Sequence, residues 1–73
     1  MSIGEAVVTY IDSMPPMSRV NFPELVLVVM KRLKLDGKHQ ERLVDCVVHD
    51  IVSKREDLRV ERGRGIVKWS SDE

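Results

Sequence analysis

Apolar residues recur at helical spacing in three successive segments of the chain, and the first segment begins at Ile3. Its apolar stripe consists of Ile3, Ala6, Val7, Tyr10, Ile11 and Met14. Ser2 and Glu5 have the spacing of a capping box, and Pro15-Pro16 cannot continue a helix. The pattern therefore predicts a first helix that begins after Ser2 and ends before Pro15.

The second apolar segment, Leu25 to Met30, is rich in β-branched residues and fits either a helix or a buried strand. Asn21, two residues before a proline, is typical of a helix N-cap. The basic residues after the run are typical of a helix C-terminus. These flanks favour a second helix over residues 24–34, followed by a tight turn at Asp36-Gly37. In such a helix Leu27 and Val28 lie away from the apolar stripe.

A third helix is predicted over residues 38–54. Its expected buried arc consists of Leu43, Val44, Val47, Val48 and Ile51. The opposite side of this helix carries Lys38, Arg42, Cys46, His49 and Ser53. The helix is therefore amphipathic, with a polar face of mixed chemistry.

Apolar and charged residues alternate on both sides of Arg62-Gly63-Arg64-Gly65, whose two glycines suit a turn with positive φ angles. This pattern predicts a β-hairpin over residues 58–69. The residues expected to face the helices are Leu58, Val60, Val67 and Trp69. Those expected to face water are Arg59, Glu61 and Lys68. Residues 70–73 are expected to be a disordered tail.

The composition is that of one small domain over residues 1–73, of which 42% are hydrophobic and 33% are charged. Twelve basic and twelve acidic residues cancel, but residues 54–68 hold six basic residues against three acidic ones, a local excess of +3. Cys46 is the single cysteine, which excludes an internal disulfide. No apolar run approaches the roughly 20 residues that span a bilayer. We expect a cytoplasmic or otherwise intracellular protein with no membrane partner.

The predicted order of elements is helix, short strand, helix, tight turn, helix and two-stranded hairpin. This order resembles the winged-helix family of the helix-turn-helix class over nearly the whole chain, from Ser2 to Trp69. The resemblance implies an α+β fold in which residues 21–54 form the helix-turn-helix, Arg19-Val20 the short first strand and residues 58–69 the wing. It also implies that the third helix enters the major groove of DNA. Winged helices also serve as protein-interaction modules, so the fold does not decide the function.

Eight polar residues are candidate nucleic-acid contacts. Four begin the third helix, where the resemblance places base-reading side chains: Lys38, His39, Gln40 and Arg42. Four lie on the hairpin, where guanidinium groups beside a glycine tip suit phosphate oxygens: Arg59, Arg62, Arg64 and Lys68. The alternative interpretations are an ordinary solvated helix face and a hairpin whose charges protect a sheet edge. Three acids on the third helix, Glu41, Asp45 and Asp50, oppose DNA binding unless they lie off the groove face.

Leu27 and Val28 are candidate contacts to a partner or a second copy, because apolar residues on a polar face suggest an interface. Cys46 and His49 are three residues apart, but two ligands do not make a structural zinc site. The sequence has no phosphate loop, paired carboxylates or catalytic triad, so we expect no enzyme activity, metal or cofactor.

The leading hypothesis is a winged-helix protein that binds duplex DNA, such as a transcriptional regulator, as a homodimer through the second helix. The alternative is a protein–protein interaction adaptor of the same fold.

Overall fold

The protein has three helices and one three-stranded antiparallel sheet in a computed structural model that describes residues 1–62 and 65–69. The elements in chain order are α1 (Ile3–Ser13), β1 (Arg19–Val20), α2 (Phe22–Leu33), α3 (Lys38–Lys54), β2 (Leu58–Glu61) and β3 (Gly65–Lys68). The strand order in the sheet is β1-β3-β2. The predicted α+β class is therefore confirmed, and the arrangement is compatible with a winged helix. The apolar run from Leu25 to Met30, which fitted either a helix or a strand, is helical. The predicted short strand Arg19-Val20 is present.

The helix ends follow the local chemistry of the sequence. Ser2 and Glu5 form the predicted capping box, in which the Glu5 N–H donates to the Ser2 hydroxyl at 3.1 Å and the Ser2 N–H donates to the Glu5 carboxylate at 2.9 Å. That backbone hydrogen bond is the main reason why the pKa of Glu5 is lowered. Asn21 occupies the predicted N-cap of α2, but its side chain makes no capping hydrogen bond. Helix α2 ends at Leu33, and its C-cap Lys34 adopts the left-handed conformation with φ of 57°.

The core is aliphatic and lies between the three helices and one face of the sheet. Its fully buried side chains are Ala6, Val7, Ile11, Leu25, Val44, Val48 and Ile66. The expected arc of α3 needs a correction, because Leu43 is 42% exposed and Val52 is buried instead. The buried line is Val44, Val48 and Val52, at spacings of four residues. The sequence pattern placed the arc about one residue too early.

The register of the sheet shows which residues share each face. Val20, Val60 and Ile66 lie opposite one another across the three strands. Val20 and Ile66 belong to the core cluster, so this is the inner face of the sheet. Arg19, Arg59 and Val67 are aligned in the same way on the outer face. Val67 is only 1% exposed, yet it lies outside the cluster that the helices bury.

The predicted faces of the hairpin were therefore partly wrong. Val67 and Trp69 were expected to face the helices, but they lie on the outer face, where the Arg59 guanidinium carbon is 4.9 Å from the centre of the Trp69 ring. Lys68 was expected to face water, but its Nζ donates hydrogen bonds to the carbonyl oxygens of Asp12 (3.2 Å) and Met14 (2.9 Å) at the end of α1. The physical reason is that Ile66 and Val67 are both apolar. Either phase of the alternation fits the sequence, and the helices cover Ile66.

Gly65 permits the junction between β1, β3 and the start of α2. Its φ of +87° lies in the region that L side chains rarely adopt. A Cβ placed there would lie 2.6 Å from the carbonyl oxygen of Val20 and 2.8 Å from the side-chain oxygen of Asn21. Glycine is thus required both by its backbone conformation and by the close approach of β1.

Arg55 joins the ends of three elements. Its guanidinium donates to both carboxylate oxygens of Asp57, at 2.9 and 2.7 Å, and forms an ion pair with Asp12 at 3.0 Å. The hydrogen bond to Arg55 is the largest cause of the lowered pKa of Asp57, and the same contact raises the pKa of Arg55. Arg55 therefore ties the end of α1 to the segment that connects α3 with β2.

Gly65→Ala is expected to destabilise the protein more than Gly37→Ala. Both glycines have positive φ, but nothing lies within 4 Å of a Cβ at Gly37. The backbone cost of about 1–2 kcal/mol applies to both variants, whereas a steric cost of about 1–3 kcal/mol applies to Gly65 alone. Urea unfolding of the two variants measures the difference. Equal losses of stability would contradict the close approach described for Gly65.

Asp57→Asn is expected to lower the free energy of unfolding by about 1–2 kcal/mol at pH 7, because it breaks a bidentate, partly buried ion pair. The folded-state pKa of Asp57 lies below its usual value of 3.8. The stabilisation is therefore fully present above pH 3.8 and is lost as the pH falls through the lower folded-state value. Unfolding of wild type and variant between pH 7 and pH 2 should show the difference closing at the acid end. Asp50→Asn, which removes an exposed pair with Lys54, is the control and should change stability by less than about 0.5 kcal/mol.

Candidate nucleic-acid interface

The start of α3 presents most of the polar side chains predicted there to solvent. Lys38, His39 and Arg42 are exposed, whereas Gln40 is half-buried. His39, Cys46 and Ser53, all exposed, are seven residues apart and so lie along one line of the helix. The central strip of the exposed face therefore carries uncharged side chains that can form hydrogen bonds. Side chains of this kind can form hydrogen bonds to base edges, as arginine and lysine also can.

The three acids of α3 are not among the residues of this strip. Glu41 and Asp45 line a groove of about 290 Å³ together with Phe22, Pro23, Val26 and Arg42, so they are turned towards the start of α2. Asp45 also lies 3.3 Å from Nε2 of His49. Asp50 forms an ion pair with Lys54 at 3.2 Å. Each acid therefore either faces α2 or has a basic partner, which reduces the repulsion that their presence in the sequence suggests.

The His49 ring helps to hold α3 against the start of α2. It stacks on Phe22 with ring centres 4.2 Å apart and planes 5° from parallel. Because Asp45 is one helical turn from His49, the stack and the acid lie on the same side of α3. Cys46 is exposed, and the described ranges contain no group of three residues that could hold a metal ion.

A second basic segment lies at the turn between α2 and α3, and three of its residues, Lys31, Arg32 and Lys34, were not among the predicted contacts. Residues 31–42 hold five basic residues, Lys31, Arg32, Lys34, Lys38 and Arg42, against the two acids Asp36 and Glu41. All five basic side chains are exposed. Their excess of +3 equals that of residues 54–68, so a count of charge in a moving window would have found them. Lys38 and Arg42 of this segment belong to the first turns of α3.

The hairpin contributes fewer available cations than predicted. Arg62 is exposed, and Arg59 is exposed beside Trp69. Arg19 forms an ion pair with Glu61 at 2.7 Å, and Lys68 is bound to the end of α1. Arg64 and the tail over residues 70–73 lie outside the described residues. The hairpin cations that remain accessible in the described residues are therefore Arg59 and Arg62.

The accessible basic groups fall into two segments of the chain, one that leads into α3 and one that follows it. Helix α3 has 17 residues and is therefore about 25 Å long. The basic turn, Lys31 to Arg42, precedes it and includes its first residues, whereas the hairpin follows its C-terminus. None of the described carboxylates forms an ion pair with Lys34, Lys38, Arg42, Arg59 or Arg62. The described residues thus combine the uncharged strip of α3 with accessible cations in the chain segments before and after this helix.

The predicted partner contacts on α2 differ in their exposure. Leu27 is 54% exposed and can meet another molecule, whereas Val28 is half-buried.

No helix in the described part of the chain combines the length and the apolar character that a membrane crossing requires. No protein-family model, curated protein or solved structure matches the chain.

Proposed function

We propose that this protein binds duplex DNA as a winged helix, with α3 in the major groove and the cations of the basic turn and the hairpin on the phosphate backbone. The observation that carries the proposal is the charge arrangement along α3. Among the described residues, exposed cations without a carboxylate partner precede and follow this helix in the chain, while its acids are paired or turned towards α2. A net charge of zero for the whole chain does not oppose this, because binding depends on local contacts.

The phosphate contacts are assigned to two groups of residues. Lys34, Lys38 and Arg42 form the group at the start of α3, and Arg59 and Arg62 form the group on the hairpin. Phosphate contacts position a protein on the duplex but carry no sequence information. Five such contacts correspond to a slope of log K against log salt of about −4 to −5 on duplex DNA. Binding should therefore be measurable at low salt and should weaken steeply as salt is added.

The base contacts are assigned to the uncharged strip of α3. Side chains that enter the major groove can distinguish base pairs by their donor and acceptor pattern. His39 and Ser53 offer both donors and acceptors, and His39 stands in the first turn of α3, among the residues that reach base edges in this class of protein. Their contacts would give sequence preference to an otherwise electrostatic association.

The decisive experiment is a fluorescence-anisotropy titration of a random-sequence duplex with wild type and two charge-matched double variants. Wild type should bind at about 50 mM salt, where non-specific binders are detectable. Lys38→Ala with Arg62→Ala, one residue from each group, should reduce the salt slope by about 1.8, the value for two lost phosphate contacts. The control, Arg19→Ala with Lys54→Ala, removes the same charge from two residues that are already ion-paired. It should leave the slope nearly unchanged.

Two results would remove the DNA proposal: no binding of wild type at about 50 mM salt, or equal effects of the two double variants. The second candidate function, a protein-interaction adaptor, would then be favoured by the exposure of Leu27 (54%) on α2 and Leu43 (42%) on α3.

A further inference from the structure

The free edge of β2 is the feature of the fold that the proposed function leaves unused. Among the described strands, β2 has β3 on one side and no neighbour on the other. The Trp69 N–H donates to the Asp57 carbonyl at 2.7 Å, which makes Asp57 and Trp69 a hydrogen-bonded pair. In an antiparallel ladder such pairs alternate, so Arg59 and Glu61 also bond to β3. The backbone groups of Leu58 and Val60 therefore point away from the sheet.

An unpaired strand edge is a template for another strand, and the sequence of this edge is self-complementary. We propose that two copies of the chain pair β2 with β2 in antiparallel orientation, with Val60 opposite Val60 on the two-fold axis. Arg59 of each copy then lies opposite Glu61 of the other, and Leu58 lies opposite Arg62. The two sheets join into one sheet of six strands.

The backbone and the charges together select this register. In an allowed register, each of Leu58, Val60 and Arg62 in one copy lies opposite one of these three residues in the other copy. Only then can the outward N–H and carbonyl groups of both strands bond, so every second register is excluded. Among those that remain, an axis through Arg59 places two arginines opposite each other, and an axis through Glu61 places two glutamates opposite each other. Like charges directly opposite are destabilising, whereas opposite charges stabilise a pair of strands. Axes through Leu58 or Arg62 leave most of the four-residue strand unpaired, whereas the axis through Val60 pairs the strand and gives two attractive pairs.

The exposure of Val60 supports the same arrangement. Val60 lies on the inner face of the sheet by its register with Ile66, yet it is 57% exposed, because the described helices do not cover it. Pairing brings two Val60 side chains together across the axis and shields both from water. The strand has four residues, so the interface is smaller than that of stable complexes. We expect a weak dimer that is half-formed at a concentration on the order of 0.1 mM or above.

This dimer differs from one formed through α2, and it needs no DNA. Sedimentation equilibrium of the full chain from about 10 μM to about 1 mM covers the range in which small interfaces associate. The average mass of wild type should rise from one chain towards two. Leu27→Asp, on the exposed side of α2, should leave this rise unchanged. A wild type that remains monomeric at about 1 mM, or a dimer that Leu27→Asp abolishes, would overturn the proposal.

Charge exchange tests the register itself. Arg59→Glu and Glu61→Arg should each be monomeric at the highest concentration, because each homodimer would contain two like-charged pairs. An equimolar mixture of the two variants should regain the wild-type association, since a mixed pair restores both attractive contacts. Circular dichroism and thermal unfolding establish that each variant folds. A mixture that stays monomeric while wild type associates would show that the register is wrong.

A backbone variant tests the same edge without changing charge. Val60→Pro removes an N–H that points away from β3, and proline is tolerated at such positions of edge strands. It should abolish association, whereas Val60→Thr, which keeps both the N–H and the β-branch, should retain it. Association of Val60→Pro at the wild-type level would exclude pairing through this edge.

Discussion

The close approach of β1 to β3 at Gly65 is the contact on which the rest of the structure depends. Because Gly65 has no side chain, the carbonyl of Val20 and the side chain of Asn21 can lie against its backbone. This approach makes β3 the central strand and places its two apolar residues on opposite faces of the sheet. Ile66 packs against the helices, and Val67 lies on the outer face. It also sets where α2 begins, since Asn21 is the N-cap of that helix.

In this arrangement some basic residues are bound within the fold and others remain accessible at the surface. Lys68 and Arg55 are used inside the fold, where Lys68 binds the last carbonyls of α1 and Arg55 holds Asp12 and Asp57. Arg19 and Lys54 are paired at the surface. The described cations that remain accessible lie in the basic turn and on the hairpin. A chain of zero net charge can therefore present a locally basic surface, because its acids are not distributed in the same way as its cations.

The two proposals assign different parts of the molecule to different partners. The DNA proposal uses the exposed face of α3 with the basic turn and Arg62, whereas the dimer uses the backbone edge of β2. Arg59 and Arg62 belong to both, because Arg59 projects from the outer face beside Trp69 and Arg62 follows the paired strand. A two-fold axis through the sheet edge places both copies of α3 on the same side of the joined sheet. Two such helices are the usual means by which small DNA-binding proteins read paired half-sites.

Local signals in the sequence determined where the elements lie. Ser2 and Glu5 begin α1, Pro15 follows its end, and Gly37 with φ of +93° takes the turn before α3. These features act within a few residues, so they can be read without the fold. The helical state of Leu25 to Met30 was decided in the same way, by its flanking residues.

Tertiary packing decided which faces were buried and which charges remained available. The choice between Ile66 and Val67, the exposure of Leu43 and the burial of Val52 depend on which surfaces the helices cover. The same holds for Lys68, whose partners are 54 and 56 residues away in the chain. Alternation and helical spacing indicate only that the two faces of a strand or helix differ in polarity. Contacts between residues distant in sequence select the face, because only those contacts remove it from water.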